Sequence, residues 1–305
     1  MNYNKGIKVN NQNALNYFRN LLNNGMTNAQ KNSVEVWDRR ADNWEKDYQD
    51  SEKKKNNERI IATVDYLRKK RLLEPNYDVI DVGCGPGRFV AEFARTAHHV
   101  TGIDFSPKMI QYGIEHLKRE QIENASLYVR DFQTLDIEEE KLAGKFELVF
   151  SSNTPAVQNT SGLEKLMKMS RKYCCYVTHI HSENELERRI MGEVFGRERP
   201  PFWSGPSFYS VFNILFLQGY YPEVTYYKQN REFYIKPNSR RIELFMEQML
   251  EPSERTEKNA GRIEKWLKDH ANSDGLVKEA SVVWSGRLLW NINEKSVRTA
   301  YDRQR

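Results

Sequence analysis

Cysteine is scarce: three in 305 residues, two of them adjacent (Cys174 and Cys175), with no CxxC pair. A disulfide framework and a cysteine-built zinc site are excluded, and a reducing cytoplasm is the simplest compartment. Long apolar runs are also missing. The longest, around 211–217, falls far short of the roughly 20 residues that span a bilayer, so no membrane partner is expected. Met1 is followed by Asn, Tyr, Asn and Lys with no apolar stretch behind them, so no secretory signal is expected either. There is no internal repeat. What the chain does have is 39% hydrophobic and 12% aromatic residues, enough for a core, which excludes wholesale disorder.

A strong charge of one sign is lacking over most of the length. Residues 1–76 hold 15 Lys/Arg and 10 Asp/Glu, a difference of +5, while residues 77–305 hold 32 of each. The tail 294–305 carries four basic and two acidic side chains, leaving 28 against 30 in the body 77–293, or −2. The excess therefore sits at the two ends, chiefly in the runs 53–55 and 68–71. Such runs are solvated helix faces more often than nucleic-acid grooves, so nucleic acid is not the expected partner.

Residues 1–32 contain eleven asparagines and few apolar anchors, which reads as a short, loosely attached helix. Helical spacing of Val34, Trp37, Ala41, Trp44 and Tyr48 gives an aromatic stripe over 34–48, and a third helix is expected over 56–70. Beyond Pro75 the period changes. Strands are expected at 77–82, 99–103, 126–129, 146–151 and 174–180, with helices at 87–96, 107–120 and 163–173 between them. That alternation indicates a parallel sheet covered by helices on both faces. Further on, 199–206 reads as a loop, 207–218 as a helix, 224–228 and 232–235 as strands, 240–250 and 254–270 as helices, and 281–292 as a strand.

The most informative segment is 78–88, Asp-Val-Ile-Asp-Val-Gly-Cys-Gly-Pro-Gly-Arg. A strand delivers Asp81 and then Gly83, Gly85 and Gly87 at alternate positions, and a helix follows at once. Glycines let the backbone approach a ligand and adopt positive φ. The free N–H groups of a helix start favour an anion. A dinucleotide fingerprint would need GxGxxG, but three residues after Gly85 stands Arg88 and three after Gly87 stands Val90. Asp104 ends the next strand, where a carboxylate can accept bonds from both ribose hydroxyls. Asp131 ends the third, where an adenine amino group could be met.

With these residues in place, the chain resembles the class I S-adenosylmethionine-dependent methyltransferases, of the group with a UbiE-like methyltransferase domain. VIDVGCGPG (79–87), VTGIDFSPKMI (100–110) and VRDF (129–132) carry the likeness, which covers about 77–180. It extends loosely to Trp37–Trp44, similar to a helix that covers the cofactor in relatives. The resemblance implies that Asp81 and the turn Gly83, Cys84, Gly85 and Gly87 hold the methionine moiety, Asp104 the ribose and Asp131 the adenine. Phe105, Met109 and Phe132 would flank the adenine ring. It further implies a Rossmann-like, doubly wound α/β fold: a mostly parallel seven-stranded sheet with an antiparallel last strand, N-terminal helices, and a helical insertion (about 238–272) before that strand. The domain limits expected are 1–56 for a partly mobile helical segment covering the cofactor, 57–293 for the methyltransferase domain and 294–305 for a tail. The Cys84 and Cys174–Cys175 thiols read as packing groups.

Acceptor-side candidates lie at strand ends and in covering elements. Ser-Ser-Asn-Thr-Pro-Ala (151–156) faintly resembles the Asn-Pro-Pro-aromatic motif of amino-methylating enzymes. Thr154 interrupts it and Ala156 replaces the aromatic, so Asn153 is expected near the transferred methyl while a nucleobase or glutamine acceptor is not. His179 and His181 share a strand face; they are either a base and its neighbour or polar residues leaving the core, and no carboxylate cluster supports a metal. Trp37, Arg40, Trp44, Trp203 and Tyr209 are either acceptor-pocket residues or core packing. The expected activity is methyl transfer from S-adenosylmethionine, with S-adenosylhomocysteine as product, to a small molecule. The alternatives are an RNA or protein acceptor and a non-catalytic cofactor-binding protein. A homodimer is compatible with the insertion, which serves as a lid or a dimer face.

Overall fold

The computed structural model describes residues 11–24, 33–49 and 58–296. The remainder of the expected N-terminal segment and of the tail, the lysine run 53–55 included, lies outside the described residues. In chain order the elements are α1 (Asn11–Asn24), α2 (Val34–Gln49), α3 (Glu58–Lys69), β1 (Asp78–Val82), α4 (Arg88–Ala94), β2 (His99–Asp104), α5 (Pro107–Arg119), β3 (Ala125–Val129), β4 (Phe146–Ser152), α6 (Thr160–Met169) and β5 (Ser170–Asn184). They continue with α7 (Glu185–Phe195), β6 (Phe202–Trp203), α8 (Gly205–Leu217), β7 (Glu223–Ile235), α9 (Ser239–Met249), α10 (Glu257–Asp269) and β8 (Val277–Asn291). No helix among the described residues is long and apolar enough to cross a membrane.

Side chains set many of the helix starts. Ser106 accepts from the Met109 N–H ahead of Pro107, Asn159 from Gly162, Asn184 from Glu187 and Asn238 from Arg241. Each oxygen satisfies an N–H that the first helical turn leaves unpaired.

The sheet order is β3-β2-β1-β4-β5-β8-β7, with β6 paired to β5 off this path. Strands β1 to β5 are parallel, in the registers Val82↔Ile103, Val82↔Ser151, Asp104↔Val129 and Ser151↔Tyr176. Their carboxyl ends therefore align. Near the C-terminus the direction reverses. The Ile292 N–H donates to Lys172 O at 2.8 Å, and His179 Nδ1 stands 3.1 Å from Ser285 Oγ, so numbers rise along β5 as they fall along β8. The seven long strands follow the expected plan, and the two-residue β6 is an eighth.

The chain divides into two compact units: Met1–Thr178 with Pro206–Thr225 and Arg287–Arg305, and His179–Gly205 with Tyr226–Gly286. The first is centred on β1 and β4. Val79, Ile80, Val82, Leu148, Val149 and Phe150 are all buried, and Phe150 packs on Phe89 and Phe93 at 4.8 and 5.1 Å. The second has its own core from α7, α9 and α10, built on Leu186, Ile190, Ile242, Phe245, Ile263 and Leu267.

Several sequence-based boundaries change. Helix α6 stops at Met169 rather than at 173, because Ser170 turns extended (ψ 144) and β5 starts there. That strand then runs to Asn184, four residues past the expected end. Helix α7 was not expected, although Asn184 and Gly196 (φ 65) bracket it. The two strands expected at 224–228 and 232–235 are one, β7, whose polar centre still alternates between an exposed and a half-buried face. Part of the expected loop 199–206 is β6.

Candidate functional site

The strand order reverses between β1 and β4: β2 and β3 step away on one side, β5 on the other. Ligands of open α/β sheets bind beyond the carboxyl ends of strands at such a reversal. The loops there form an open cleft lined by Gly83, Ile103, Asp104, Phe105, Arg130, Asp131, Phe132, Gln133, Thr154, Pro155, Ala156 and Gln158. Residues from four strand ends, 83, 104, 131 and 154, thus meet in one place.

The turn after β1 is held by its own backbone. The N–H groups of Gly83 and Cys84 both donate to Ile103 O, at 2.8 and 3.0 Å. Gly83 has φ +73, and a Cβ there would stand 2.0 Å from Thr154 Oγ1. Gly85 and Gly87 also have positive φ. Asp104 is tied to the same turn. Its Oδ2 accepts from the Gly85 N–H and its Oδ1 from the Ser106 N–H, both at 2.9 Å. Burial pushes the Asp104 carboxyl up, and those backbone donors oppose the shift.

Asp81 lies one residue before the end of β1, fully buried, and its Oδ2 has no hydrogen-bond partner among the described residues. Burial first, and then the Asp104 charge, push its carboxyl up to about 8, while the Arg59 guanidinium pulls the other way. Arg59 donates to Ser152 Oγ at 2.8 Å and lies over the Phe89 ring at 5.1 Å. Buried polar atoms without partners are rare and costly, so Asp81 Oδ2 marks a place where a ligand donor would be satisfied.

Asn153, just past β4, has φ 51 and a buried Oδ1 without a hydrogen-bond partner among the described residues, while its N–H donates to Val177 O at 2.9 Å. Left-handed backbone at a non-glycine residue concentrates at functional sites. Asn153 is not among the cleft-lining residues. Neither are Met109, which is buried, and Cys84, whose sulfur packs where a Cβ on Gly102 would fall.

Helix α2 reaches the same end of the first unit. Trp37 meets Phe105 edge to face at 6.4 Å, and the exposed Arg40 lies over the Trp37 ring at 4.7 Å. The Ser106 hydroxyl donates to Asp38 Oδ1 at 2.5 Å, and Asp42 receives Lys108 Nζ at 2.7 Å and the Tyr112 hydroxyl at 2.8 Å. The Trp44 side chain lies outside the described residues. Tyr209, also in the first unit, packs edge to face on Phe18 at 6.1 Å.

The other acceptor-side candidates belong to the second unit. His179 O accepts from the Ser204 hydroxyl, and His181 Nε2 is 2.8 Å from Glu183 Oε1. Trp203 pairs with His181 in the β5·β6 ladder and is 61% exposed. Among the described residues no three His, Cys, Asp or Glu side chains are grouped as a metal would require.

Residues 73–194 match a family model described as a methyltransferase domain. This segment thus resembles a methyltransferase domain. Among curated relatives, a 23S rRNA (uracil(1939)-C(5))-methyltransferase of Shewanella sediminis is 28% identical over 123 residues, 40% of this chain and 26% of that protein. A malonyl-[acyl-carrier protein] O-methyltransferase of Acetivibrio thermocellus is 33% identical over 98 residues, 31% of this chain and 30% of that protein. The chain thus spans under a third of the length of these relatives. Among solved structures, magnesium protoporphyrin IX methyltransferase of Synechocystis PCC 6803 has a TM-score of 0.48 and 13% identity, covering 91% of this chain and 99% of that one.

The matched segment contains the glycine turn, Asp104, Asp131 and Asn153. Sequence reasoning missed Arg59, Gln133 and the Asp38–Ser106 contact. Gln133 Nε2 donates to Ala156 O at 2.7 Å and its Oε1 accepts from Asn159 at 2.9 Å, closing the cleft wall. Only Ser106-Pro107, a helix-start pair, signalled any of these locally.

Proposed function

We propose that the chain transfers a methyl group from S-adenosylmethionine to a small-molecule acceptor by in-line displacement. The observation that carries this reading is the convergence of Gly83, Asp104, Phe105, Asp131 and Phe132, drawn from three separate motifs, on one cleft. The residues fit the cofactor. Asp81 Oδ2 is a buried acceptor lacking a donor among the described residues, suited to an ammonium, and Arg59 beside it supplies a cation for a carboxylate. The remaining lone pairs of Asp104 suit the ribose hydroxyls, Asp131 the adenine amino group, and Phe105 and Phe132 the ring faces. A small acceptor and a cytoplasmic setting accord with the nearly neutral body of the chain (−2 over 77–293) and its three free, buried cysteines.

Bound there, the sulfonium supplies a methyl group already activated by positive charge. The protein's own task is alignment, worth up to about 7–11 kcal/mol. A base is needed only for an alcohol, phenol or protonated amine. His179 is the candidate for that role, with its Nδ1 3.1 Å from Ser285 Oγ. Asn153 Oδ1 is the candidate for orienting an acceptor N–H or O–H.

Calorimetry with S-adenosylhomocysteine tests the cofactor half. Micromolar binding that disappears in Asp104→Ala is expected, and undiminished affinity would refute the ribose role. Mass spectrometry of acceptors methylated from a metabolite extract tests the other half. An RNA or protein acceptor is the second reading, favoured by the basic N-terminal segment. It predicts salt-dependent RNA retention that is lost on deleting residues 1–56.

A further inference from the structure

We infer that β7 is the edge through which two copies of this chain pair, antiparallel, into a two-fold dimer. Strand β7 ends the sheet order among the described residues. It is 13 residues long and contains no proline or glycine. Such an edge is a template for another strand unless it is blunted. Within the second unit its exposed face carries Tyr226, Lys228, Asn230, Glu232 and Tyr234 in strict alternation with half-buried residues. The two tyrosines are 60% and 55% exposed.

The charges on this edge select a partner. A two-fold axis normal to the sheet keeps each face on its own side, so only registers that pair even-numbered with even-numbered residues are available. Centred on Asn230, the register sets Tyr226 opposite Tyr234 and Lys228 opposite Glu232, each twice, with Tyr227 opposite Phe233 and Gln229 opposite Arg231 on the other face. Centred on Gln229, it sets Tyr226 opposite Glu232 and Tyr227 opposite Arg231. Centred on Arg231, it sets two arginines against each other and Lys228 against Tyr234. Of the three, the register about Asn230 alone matches both the charged and the aromatic pairs. The occupant it fits is a second copy of this strand, in an isologous contact. Neighbouring groups on β8 leave the charges usable: Glu232 meets Lys278 at 2.9 Å while remaining 57% exposed, and Lys228 lies 5.7 Å from the Trp284 ring centroid.

Sedimentation equilibrium of the full chain tests this, with circular dichroism to check the fold. A dimer is expected for the wild type. K228E places two Glu–Glu pairs across the two-fold and E232K two Lys–Lys pairs, so each raises the dimer dissociation constant at least tenfold. An equimolar mixture of the two variants restores both opposite-charge pairs, and a heterodimer within threefold of wild-type affinity is expected. A wild-type monomer at 100 µM, or a dimer indifferent to both variants, overturns the proposal. So does a monomer that binds a single-stranded RNA oligonucleotide and loses it in Tyr234→Ala, since the aromatic face would then be a base-stacking surface.

Discussion

The Ser106 hydroxyl donates to Asp38 Oδ1 at 2.5 Å and accepts from the Met109 N–H at 3.1 Å. One side chain thereby starts α5 and fastens α2 to it, over a sequence separation of 68 residues. Because Phe105 both lines the cleft and touches Trp37, the position of α2 is coupled to the cleft.

Asp38→Ala is expected to lower stability by about 1.5–3 kcal/mol, the range for a hydrogen bond to a charged group. It should also weaken S-adenosylhomocysteine binding about three- to tenfold. Urea denaturation and calorimetry measure the two effects, and a stability loss without loss of affinity would uncouple α2 from the site.

Gly83→Ala and Gly144→Ala separate backbone strain from collision. Both glycines have positive φ, but a Cβ at 144 meets nothing within 4 Å, whereas one at 83 strikes Thr154. Gly144→Ala should cost about 1 kcal/mol through the left-handed backbone alone. Gly83→Ala should cost more in denaturant titrations and abolish cofactor binding, because the turn must open to admit the methyl.

The buried Asp81 carboxyl gives a pH signature. Its folded value, about 8, lies above the ordinary 3.8, so the unfolded chain loses this proton first as pH rises. Its contribution to stability is fully present below about pH 4 and is lost as pH climbs to about 8, at up to about 1.4 kcal/mol per pH unit. Asp81→Asn should flatten that slope in thermal melts across pH 5–8. In the wild type, binding an ammonium at Asp81 should release a proton at pH 7, measurable by calorimetry in buffers of different ionisation enthalpy. A binding enthalpy independent of buffer would exclude a neutral Asp81 in the free protein.

His179→Ala is expected to reduce turnover at least tenfold without altering affinity for S-adenosylhomocysteine, provided that the acceptor needs a base. Unchanged turnover across pH 6–9 would leave His179 as a residue that orders β5 against Ser285 and Ser204.

The glycine turn, Asp104, Asp131 and the parallel strands before Val129 were legible in the sequence because their determinants are local. A short apolar run, a turn that needs positive φ and an acid at a strand end all lie within a few residues of one another. Other features were settled only by partners far away in the chain. Arg59 finds Ser152 across 93 residues and Asp38 finds Ser106 across 68, and nothing in the intervening sequence marks either pair. The length of β5 was decided in the same way. Its composition favours a strand at 174–180, but pairing with β6 and β8 carries it to Asn184, where an asparagine cap starts α7. The sequence by itself thus determined most of the residues that meet in the cleft, because that cleft is assembled from strand ends. Tertiary structure decided what packs beside the cleft, which buried acid is left without a donor, and where the chain divides, because these depend on which distant groups satisfy one another when the backbone folds.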